Sequence, residues 1–396
     1  MKRLIPCMLA ALLLLGCAGK PHETEPSLPP ETTAVPTETT AAPETLPTQP
    51  EKSKVEQLME GMTLEEKVGQ LFLARCRMES AAEDIENYHL GGLVLFGQDF
   101  REETQESMRV KLAQYQQAAQ IPLLLAVDEE GGTVCRVSAY PAFRSEKFPE
   151  PRASFQKGGL ELALSMETEK AYLLHSLGIN VNLAPVCDIS QNPDAFMYHR
   201  SLGADPITTG AFVTGTLERM VENGVGGVMK HFPGYGENGD THTGQVTDTR
   251  TLEELEARDL VPFAAGIRQG LGAILVSHNI VTALDDTLPA SLSPKVMAYL
   301  RENMGYTGVI LTDDLVMGAL EGFTPEEAAV QAVKAGATLL CSTDFDLQIP
   351  AVLKAVEDGS ISAETLDKAV ECNLRWKEQL STYTAPVYPA RTSRVL

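Results

Sequence analysis

The sequence predicts an α/β fold, a (β/α)8 barrel of the TIM type in one folded domain, preceded by a signal peptide and a disordered linker. The first observation is a series of eight short, continuously apolar runs, which is typical of parallel strands buried on both faces. The second is that helical patterns alternate with these runs, so that eight strand–helix units fit into roughly 320 residues. An open doubly wound sheet is the alternative arrangement of the same elements.

The barrel domain is predicted over residues 53–381. Its strands are predicted at Gly69–Ala74, Gly92–Phe96, Leu123–Val127, Asn180–Leu183, Gly226–Met229, Ala273–Ser277, Val309–Thr312 and Thr338–Cys341. Helices are predicted over Leu160–Leu177, Thr251–Gln269, Thr324–Ala335 and Ala363–Leu380. Capping boxes, in which a glutamate follows a threonine three residues later, predict helix starts at Thr63, Thr251 and Thr324.

The first 52 residues are predicted to target and tether the domain. Residues 1–17 have a basic start and an apolar stretch that is too short to span a bilayer, as in a signal peptide. Its last residues, Leu14-Leu15-Gly16-Cys17, resemble a bacterial lipobox, which predicts lipidation of Cys17; an ordinary secretory signal is the alternative. Residues 18–52 are rich in Pro, Thr and Glu, which predicts a disordered linker.

We therefore expect an extracytoplasmic protein, anchored by lipid to the outer face of a bacterial membrane or otherwise secreted or periplasmic. Membrane contact is expected through the N-terminal lipid anchor only. The net charge of −22 argues against nucleic-acid binding and against electrostatic attachment to anionic lipid. Residues 382–396 are predicted to be a C-terminal tail, and we expect a monomer.

The cysteines give no sign of a metal centre or of a disulfide scaffold. Seven are present, and the five beyond the leader show no CxxC or Cys/His metal spacing. We interpret those five as small buried apolar residues. No metal and no organic cofactor is expected.

Polar residues follow five of the predicted strands, at the rim where barrel enzymes carry their chemistry. In chain order they are Asp128, Asp188, Lys230 with His231, His278, and Asp313 with Asp314. One such strand end is explained by a helix cap or a rim salt bridge. Five on one rim indicate a polar ligand, and carboxylates with cations and no phosphate-type glycine loop suit a sugar.

Two motifs predict how a glycosidic bond would be cleaved. Asp313 directly follows a buried strand and is the candidate nucleophile, whereas Asp314 alternates away from the pocket. Asp240-Thr241-His242 is a candidate acid/base pair, in which the carboxylate orients the imidazole and the imidazole moves the proton. Together they would perform double displacement with retention. A solvated surface loop is the alternative interpretation of Asp240 and His242.

Four motifs together resemble family 3 of the glycoside hydrolases, and within it the single-domain bacterial β-N-acetylglucosaminidases, or β-N-acetylhexosaminidases. They are AVDEEGGTVCR, NVNLAPVCDIS with a later HRSLG, KHFPGYG with its following D-x-H, and GVILTDDLVMGAL, within residues 54–380. The resemblance implies a TIM-type barrel and hydrolysis of terminal, non-reducing β-linked N-acetylglucosamine with retention. It implies that Asp313 is the nucleophile, that His242 is the acid/base and that Asp240 is its partner. It also implies sugar-binding positions at Asp128, Arg200, Lys230 and His231.

The sequence departs from the family pattern at three points. Tyr235 stands where the usual KHFPGHG has its second histidine, and the spacing from Lys230 to Asp240 is one residue shorter. Thr133 replaces an arginine near the sugar site. The first two departures concern the acid/base loop, and the third concerns what the pocket accepts beyond the terminal sugar.

The leading hypothesis is removal of N-acetylglucosamine from peptidoglycan fragments or chitooligosaccharides. A β-glucosidase or β-xylosidase of the same fold is one alternative, and a β-N-acetylglucosaminide phosphorylase is another. A sugar-binding lipoprotein, or an enzyme that has kept binding and lost turnover, are the non-catalytic alternatives. Every catalytic position that the resemblance implies is filled, which favours an active enzyme.

Overall fold

The computed structural model describes residues 52–382. The predicted signal peptide, Cys17, the linker up to residue 51 and the tail beyond residue 382 lie outside the described residues. Among residues 52–382, no helix is both long enough and apolar enough to cross a membrane. The five cysteines in this part of the chain are free thiols: four are buried, and Cys372 is half-buried.

Eight parallel strands form the barrel, and each contains or overlaps one of the predicted apolar runs. They are β1 (Phe72–Arg75), β2 (Gly92–Leu95), β3 (Leu124–Val127), β4 (Val181–Asn182), β5 (Gly226–Phe232), β6 (Ala273–Val276), β7 (Ile310–Thr312) and β8 (Leu340–Ser342). Adjacent strands pair in chain order, β8 pairs with β1, and a single bridge between Leu311 and Leu339 brings β7 to β8. The sheet is therefore a nearly closed barrel, and the predicted (β/α)8 fold is confirmed.

Within residues 52–382, twelve α-helices accompany the strands. They are α1 (Lys54–Glu60), α2 (Leu64–Gly69), α3 (Ala81–Tyr88), α4 (Gln105–Ala118), α5 (Pro151–Leu177), α6 (Pro206–Glu222), α7 (Leu252–Ala257), α8 (Leu260–Gln269), α9 (Pro294–Ala298), α10 (Pro325–Ala335), α11 (Phe345–Glu357) and α12 (Ala363–Thr382). The three predicted capping boxes are present at the starts of α2, α7 and α10. Local sequence thus sets these helix starts.

Two predicted boundaries are wrong, and one predicted helix has an additional segment before it. The predicted helix Thr251–Gln269 is two helices, α7 and α8, because Pro262 has no N–H to donate to the carbonyl of Arg258, four residues earlier. The predicted helix Leu160–Leu177 is present as the second part of α5, and a shorter helical segment from Pro151 precedes it across a kink at Gly158–Gly159. Gly69 is the last residue of α2 and not the first residue of β1. The chain at Tyr88 approaches it so closely that a Cβ atom added to Gly69 would lie 2.1 Å from the Tyr88 carbonyl oxygen.

The apolar core has two layers, one inside the barrel and one between the strands and the helices. The inner layer includes Leu73, Leu124, Val228 and Leu275, and it is joined by Trp376 of α12, which is 7% exposed. Trp376 lies against Gly226, the first residue of β5, so α12 closes the amino-terminal end of the barrel. The carboxyl ends of the strands remain open.

Candidate active site

A cleft of ≈ 790 Å³ lies at the carboxyl ends of the strands. All seven side chains that the sequence assigned to catalysis or sugar binding line it. They are Asp128, Arg200, Lys230, His231, Asp240, His242 and Asp313. Asp128 follows β3, Lys230 and His231 belong to β5, Asp313 follows β7, and the others come from connecting loops. Residues separated by up to 185 positions in the chain therefore meet at one rim.

An irregularity in β5 allows two consecutive side chains to face the cleft. Along a regular strand, successive side chains alternate between faces. The pairing of β5 with β6 shifts between Lys230 and Phe232, with Lys230 opposite Leu275 and Phe232 opposite Val276. His231 is the extra residue, so both Lys230 and His231 line the cleft.

Buried ion pairs form the floor of the cleft. Lys230 Nζ lies 2.5 Å from Asp128 Oδ1 and 2.6 Å from Glu130 Oε1. Arg200 donates two hydrogen bonds to Glu130, of 2.9 Å and 2.7 Å. Burial by itself would raise the pKa of Glu130, but the charges of Arg200 and Lys230 outweigh burial and hold it well below its usual range. The side chain is therefore an anion that aligns two cations.

Glu130 is a site residue that the sequence analysis did not single out. It lies in a short hairpin, Glu129–Gly131 paired with Val134–Cys135, directly after β3. Its neighbour Glu129 accepts hydrogen bonds from the backbone N–H groups of Arg136 and Val137, at 2.9 Å and 2.8 Å, and so stabilises the hairpin. The sequence indicated an acidic site residue here only by the run of acidic residues after β3, and that run does not distinguish Glu130 from Glu129.

Asp188 positions His231 and was considered in the sequence only as a strand-end carboxylate. Its Oδ2 accepts from the backbone N–H of His231 at 3.1 Å and lies 2.7 Å from His231 Nδ1. The Nε2 atom of His231 lies 3.1 Å from a guanidinium nitrogen of Arg200, which can only donate. The hydrogen bonds are therefore satisfied by a neutral imidazole with its proton on Nδ1, which in turn orients Arg200.

Asp313 is held rigidly at the end of β7. Its backbone N–H donates to the carbonyl of Val276 at 3.1 Å, and its Oδ1 accepts from the N–H of Asp314 at 2.9 Å. Burial would raise the pKa of the Asp313 carboxyl, but the protonated forms of His278 and His231, which are reached in acid, and the hydrogen bond from the N–H of Asp314 stabilise the carboxylate and lower it. The carboxylate is thus ionised near neutral pH, as a nucleophile needs to be.

The neighbours of Asp313 are engaged in structural hydrogen bonds. Asp314 accepts from the hydroxyl of Thr343 at 2.6 Å and from its N–H at 3.2 Å, which fastens the loop after β8. His278 Nε2 lies 2.9 Å from the carbonyl oxygen of Asp314, and its Nδ1 lies 2.6 Å from Ser291 Oγ. Burial lowers the pKa of His278, and a neutral ring that donates from Nε2 satisfies both contacts.

Asp240 and His242 form a close pair at the mouth of the cleft. His242 Nδ1 lies 2.6 Å from Asp240 Oδ1, which also accepts from the backbone N–H of His242 at 2.9 Å. The side chain of His242 is 59% exposed, and that of Asp240 is 30% exposed. With Nδ1 engaged by the carboxylate, Nε2 is the atom that can exchange a proton with a bound ligand. The shortened loop still brings the pair to the cleft.

Two further features bear on what the cleft can bind. Thr133, at one departure from the family pattern, lies in the lining of the cleft with Arg136 and Phe96. Within residues 52–382, no group of three or more His, Cys, Asp or Glu side chains is arranged to hold a metal ion. Asp313 and the His242–Asp240 pair line the same cleft, and together they support nucleophilic attack by a carboxylate with proton transfer by an imidazole.

Comparisons with known proteins agree with one another. The Glycosyl hydrolase family 3 N terminal domain matches residues 63–375. The β-hexosaminidase LpqI of Mycobacterium tuberculosis is 31% identical over an alignment of 319 residues that covers 77% of this chain and 80% of that protein. A β-hexosaminidase of Tolumonas auensis is 33% identical over 302 residues, covering 74% of this chain and 87% of that protein.

Solved structures show the same relationship. The glycoside hydrolase family 3 β-N-acetylglucosaminidase of Paenibacillus sp. FPU-7 is similar with a TM-score of 0.76 and 32% sequence identity. That similarity covers 85% of this chain and 66% of the Paenibacillus chain.

Proposed function

The chain belongs to family 3 of the glycoside hydrolases, and on that premise we propose that it is a retaining exo-β-N-acetylglucosaminidase. Glycoside hydrolysis of the β-hexosaminidase type is what its named relatives share. The observation that carries the finer proposal is that Asp313, on a rigid strand end, and the pair His242–Asp240, on a separate loop, line one cleft. Double displacement requires a nucleophile and an acid/base, and here one carboxylate and one oriented imidazole can supply these two roles.

In the first step, a carboxylate oxygen of Asp313 attacks the anomeric carbon of the terminal sugar. The glycosidic C–O bond breaks, and the departing oxygen takes the proton from Nε2 of the His242 imidazolium. The other proton stays on Nδ1, which donates it to Asp240 Oδ1, and the charge of Asp240 stabilises the imidazolium before transfer. The products of this step are a glycosyl ester on Asp313 and the released aglycone.

In the second step, water attacks the same carbon from the opposite side. Neutral His242 accepts the proton of the water at Nε2, and the ester bond to Asp313 breaks. Two inversions give net retention, with the β-anomer as first product. Asp128, Arg200, Lys230 and His231 are positioned on the floor to bind hydroxyl groups of the sugar while their own charges stay paired.

As natural substrates we propose peptidoglycan fragments or chitooligosaccharides with a terminal β-linked N-acetylglucosamine. This rests on the names of the relatives and on the lipobox-like end at Cys17. Replacement of Cys17 by serine should release the protein from the membrane fraction of expressing cells. Unchanged partitioning of the Cys17→Ser protein would contradict the lipid anchor and leave the activity proposal intact.

The activity is tested with aryl glycosides of N-acetylglucosamine, glucose and xylose, with and without phosphate. We expect turnover of the N-acetyl substrate, unchanged by phosphate, with the β-anomer formed first by NMR. Asp313→Asn should abolish turnover, and a slow 5-fluoro substrate should add one glycosyl mass to the peptide containing Asp313. Asp285→Asn, which changes a buried carboxyl outside the cleft lining, is the matched control.

The role of His242 has its own signature. His242→Ala should retain most activity on a dinitrophenyl glycoside, whose leaving group needs little protonation, and lose it on a phenyl glycoside. His175→Ala, on the exposed surface of α5, is the control for loss of an imidazole.

Three results would change the proposed function. Formation of a sugar phosphate would assign a phosphorylase, and preferred turnover of the glucoside or the xyloside would change the sugar. Tight binding of the sugar without turnover would assign a binding protein.

A further inference from the structure

The loop that carries the acid/base pair is exposed or half-buried at every residue but one. Among residues 237–247, Thr241 alone is buried, and its relative exposure is 0%. Asp240 and His242 flank it and face the cleft. The middle residue of the D-x-H motif is therefore the point at which this loop is attached to the barrel.

Thr241 has two attachments from different parts of the fold. Its hydroxyl forms a short hydrogen bond with the phenol hydroxyl of Tyr235. Its carbonyl oxygen accepts from the backbone N–H of Ala319 at 3.0 Å, in the segment that follows Asp313 and β7. Gly318 lies directly against the next carbonyl, where an added Cβ atom would be 2.9 Å from the oxygen of His242. The loop is thus tied both to the end of β5 and to the segment that follows the proposed nucleophile.

Tyr235 is itself fixed on the floor network. It is 1% exposed, and its backbone N–H donates to Asp188 Oδ1 at 2.7 Å. Its ring packs edge-on against His231 at a centroid distance of 5.2 Å, and it also contacts Phe196, whose ring lies against His242. Burial raises the pKa of the Tyr235 phenol, so the hydroxyl stays neutral and can donate or accept.

The bond between Asp240 and His242 orients the imidazole but does not place it relative to Asp313, because both residues belong to the same loop. Placement needs contacts outside the loop, and Thr241 supplies them. We propose that Tyr235 and Thr241 are positioning residues, whose hydroxyl–hydroxyl bond holds the His242–Asp240 pair at its working distance from Asp313. This rests on the proposed roles of Asp313 and His242. Tyr235 is the residue at which the family pattern has histidine.

The two hydroxyls have isosteric replacements that leave the backbone bond of Thr241 to Ala319 in place. Tyr235→Phe and Thr241→Val each remove one hydroxyl, and Thr241→Ser keeps it. For Tyr235→Phe and Thr241→Val we expect kcat/KM on a phenyl glycoside to fall about 3- to 10-fold, as expected for the loss of one buried hydrogen bond. On a dinitrophenyl glycoside the change should stay below about 2-fold, since departure of that group needs little protonation. Thr241→Ser should behave as the wild type.

The double variant Tyr235→Phe/Thr241→Val separates a shared bond from two independent effects. If the bond is the cause, the double variant should lose no more than the more affected single variant. Tyr306→Phe is the matched control, because it removes a buried phenol hydroxyl bonded to Gly272 and Val309 at the amino-terminal end of the barrel. It should show no dependence on the leaving group.

Equal losses on both glycosides, or fully additive losses in the double variant, would overturn the positioning role. If Tyr235→Phe does not fold, Thr241→Val and Thr241→Ser test the same bond from its other end. Failure of the proposed function is distinguished by His242→Ala: without a leaving-group effect in that variant, the acid/base assignment itself is wrong. A leaving-group effect in His242→Ala and none in Tyr235→Phe or Thr241→Val would refute only the positioning role.

Discussion

Lys377 is a buried lysine near the closed, amino-terminal end of the barrel. It is 7% exposed, and its Nζ donates to Gln70 Oε1 at 2.6 Å. Burial lowers the pKa of Lys377 from 10.5 to about 7. At about 1.4 kcal/mol per pKa unit, this difference corresponds to a cost of about 5 kcal/mol for folding with the lysine charged.

The sign of the pH dependence follows from proton counts. Between pH 7 and 10.5, the unfolded chain keeps the proton of Lys377 and the folded protein has lost it. The free energy of unfolding therefore rises with pH in this interval, and the full cost is borne below about pH 7. Replacing Lys377 by methionine removes the cost but leaves Gln70 Oε1 without its partner, which costs about 1–3 kcal/mol.

At pH 6, Lys377→Met should accordingly raise the free energy of unfolding by about 2–4 kcal/mol. At about pH 9.5 the residual cost in the wild type is about 1.4 kcal/mol, so the variant should be no more stable than the wild type there. Urea unfolding of both proteins across this range, with Lys368→Met as an exposed control, measures the difference. A stability difference that does not change with pH would refute the buried-charge argument.

Two further predictions concern the cleft. Glu130→Gln keeps the shape of the side chain but removes the negative charge that Arg200 and Lys230 share. The free energy of unfolding, measured in urea, should therefore fall by about 3–5 kcal/mol. A fall of less than about 1 kcal/mol would show that the floor of the cleft does not depend on this anion. The second prediction follows from the lowered pKa of Asp313 and is tested in the His242→Ala variant. Its kcat/KM on a dinitrophenyl glycoside should stay constant from pH 7 down to about pH 4.5. An inflection above about pH 5 would contradict the lowered pKa.

The barrel could be predicted because its signals are local. Continuous apolar character identified all eight strands, and Thr–Glu pairs identified three helix starts. Of the two boundaries that were wrong, one depends on a contact between elements and the other on a local proline. The close approach of the Tyr88 carbonyl to Gly69 is invisible in the sequence, and Pro262 inside an apolar, helical-looking stretch was not weighed as a break.

That the candidate site residues would line one cleft was predictable for a different reason. In a parallel barrel every strand ends at the same rim, so the side chains that follow the strands could be expected to meet without knowledge of their distances. What the sequence could not provide is which of them pair. Asp128 and Lys230 are 102 residues apart, and Glu130 and Arg200 are 70 residues apart. The sequence therefore does not distinguish Glu130 from Glu129 as the partner of Arg200. It also does not show that Asp188 orients the His231 ring by hydrogen bonding.

The two proposed catalytic groups sit in opposite environments, and the proposed mechanism explains why. Asp313 must attack one carbon atom from one direction, and it follows a strand end, where its N–H donates to the carbonyl of Val276 and its side chain accepts from the N–H of Asp314. His242 must donate a proton to the departing aglycone and then accept one from water, and it stands on an exposed loop. An exposed loop alone would not hold a proton donor at a fixed distance from a rigid nucleophile. The buried contacts of Thr241 with Tyr235 and Ala319 fix that distance in our proposal and leave the mouth of the cleft open.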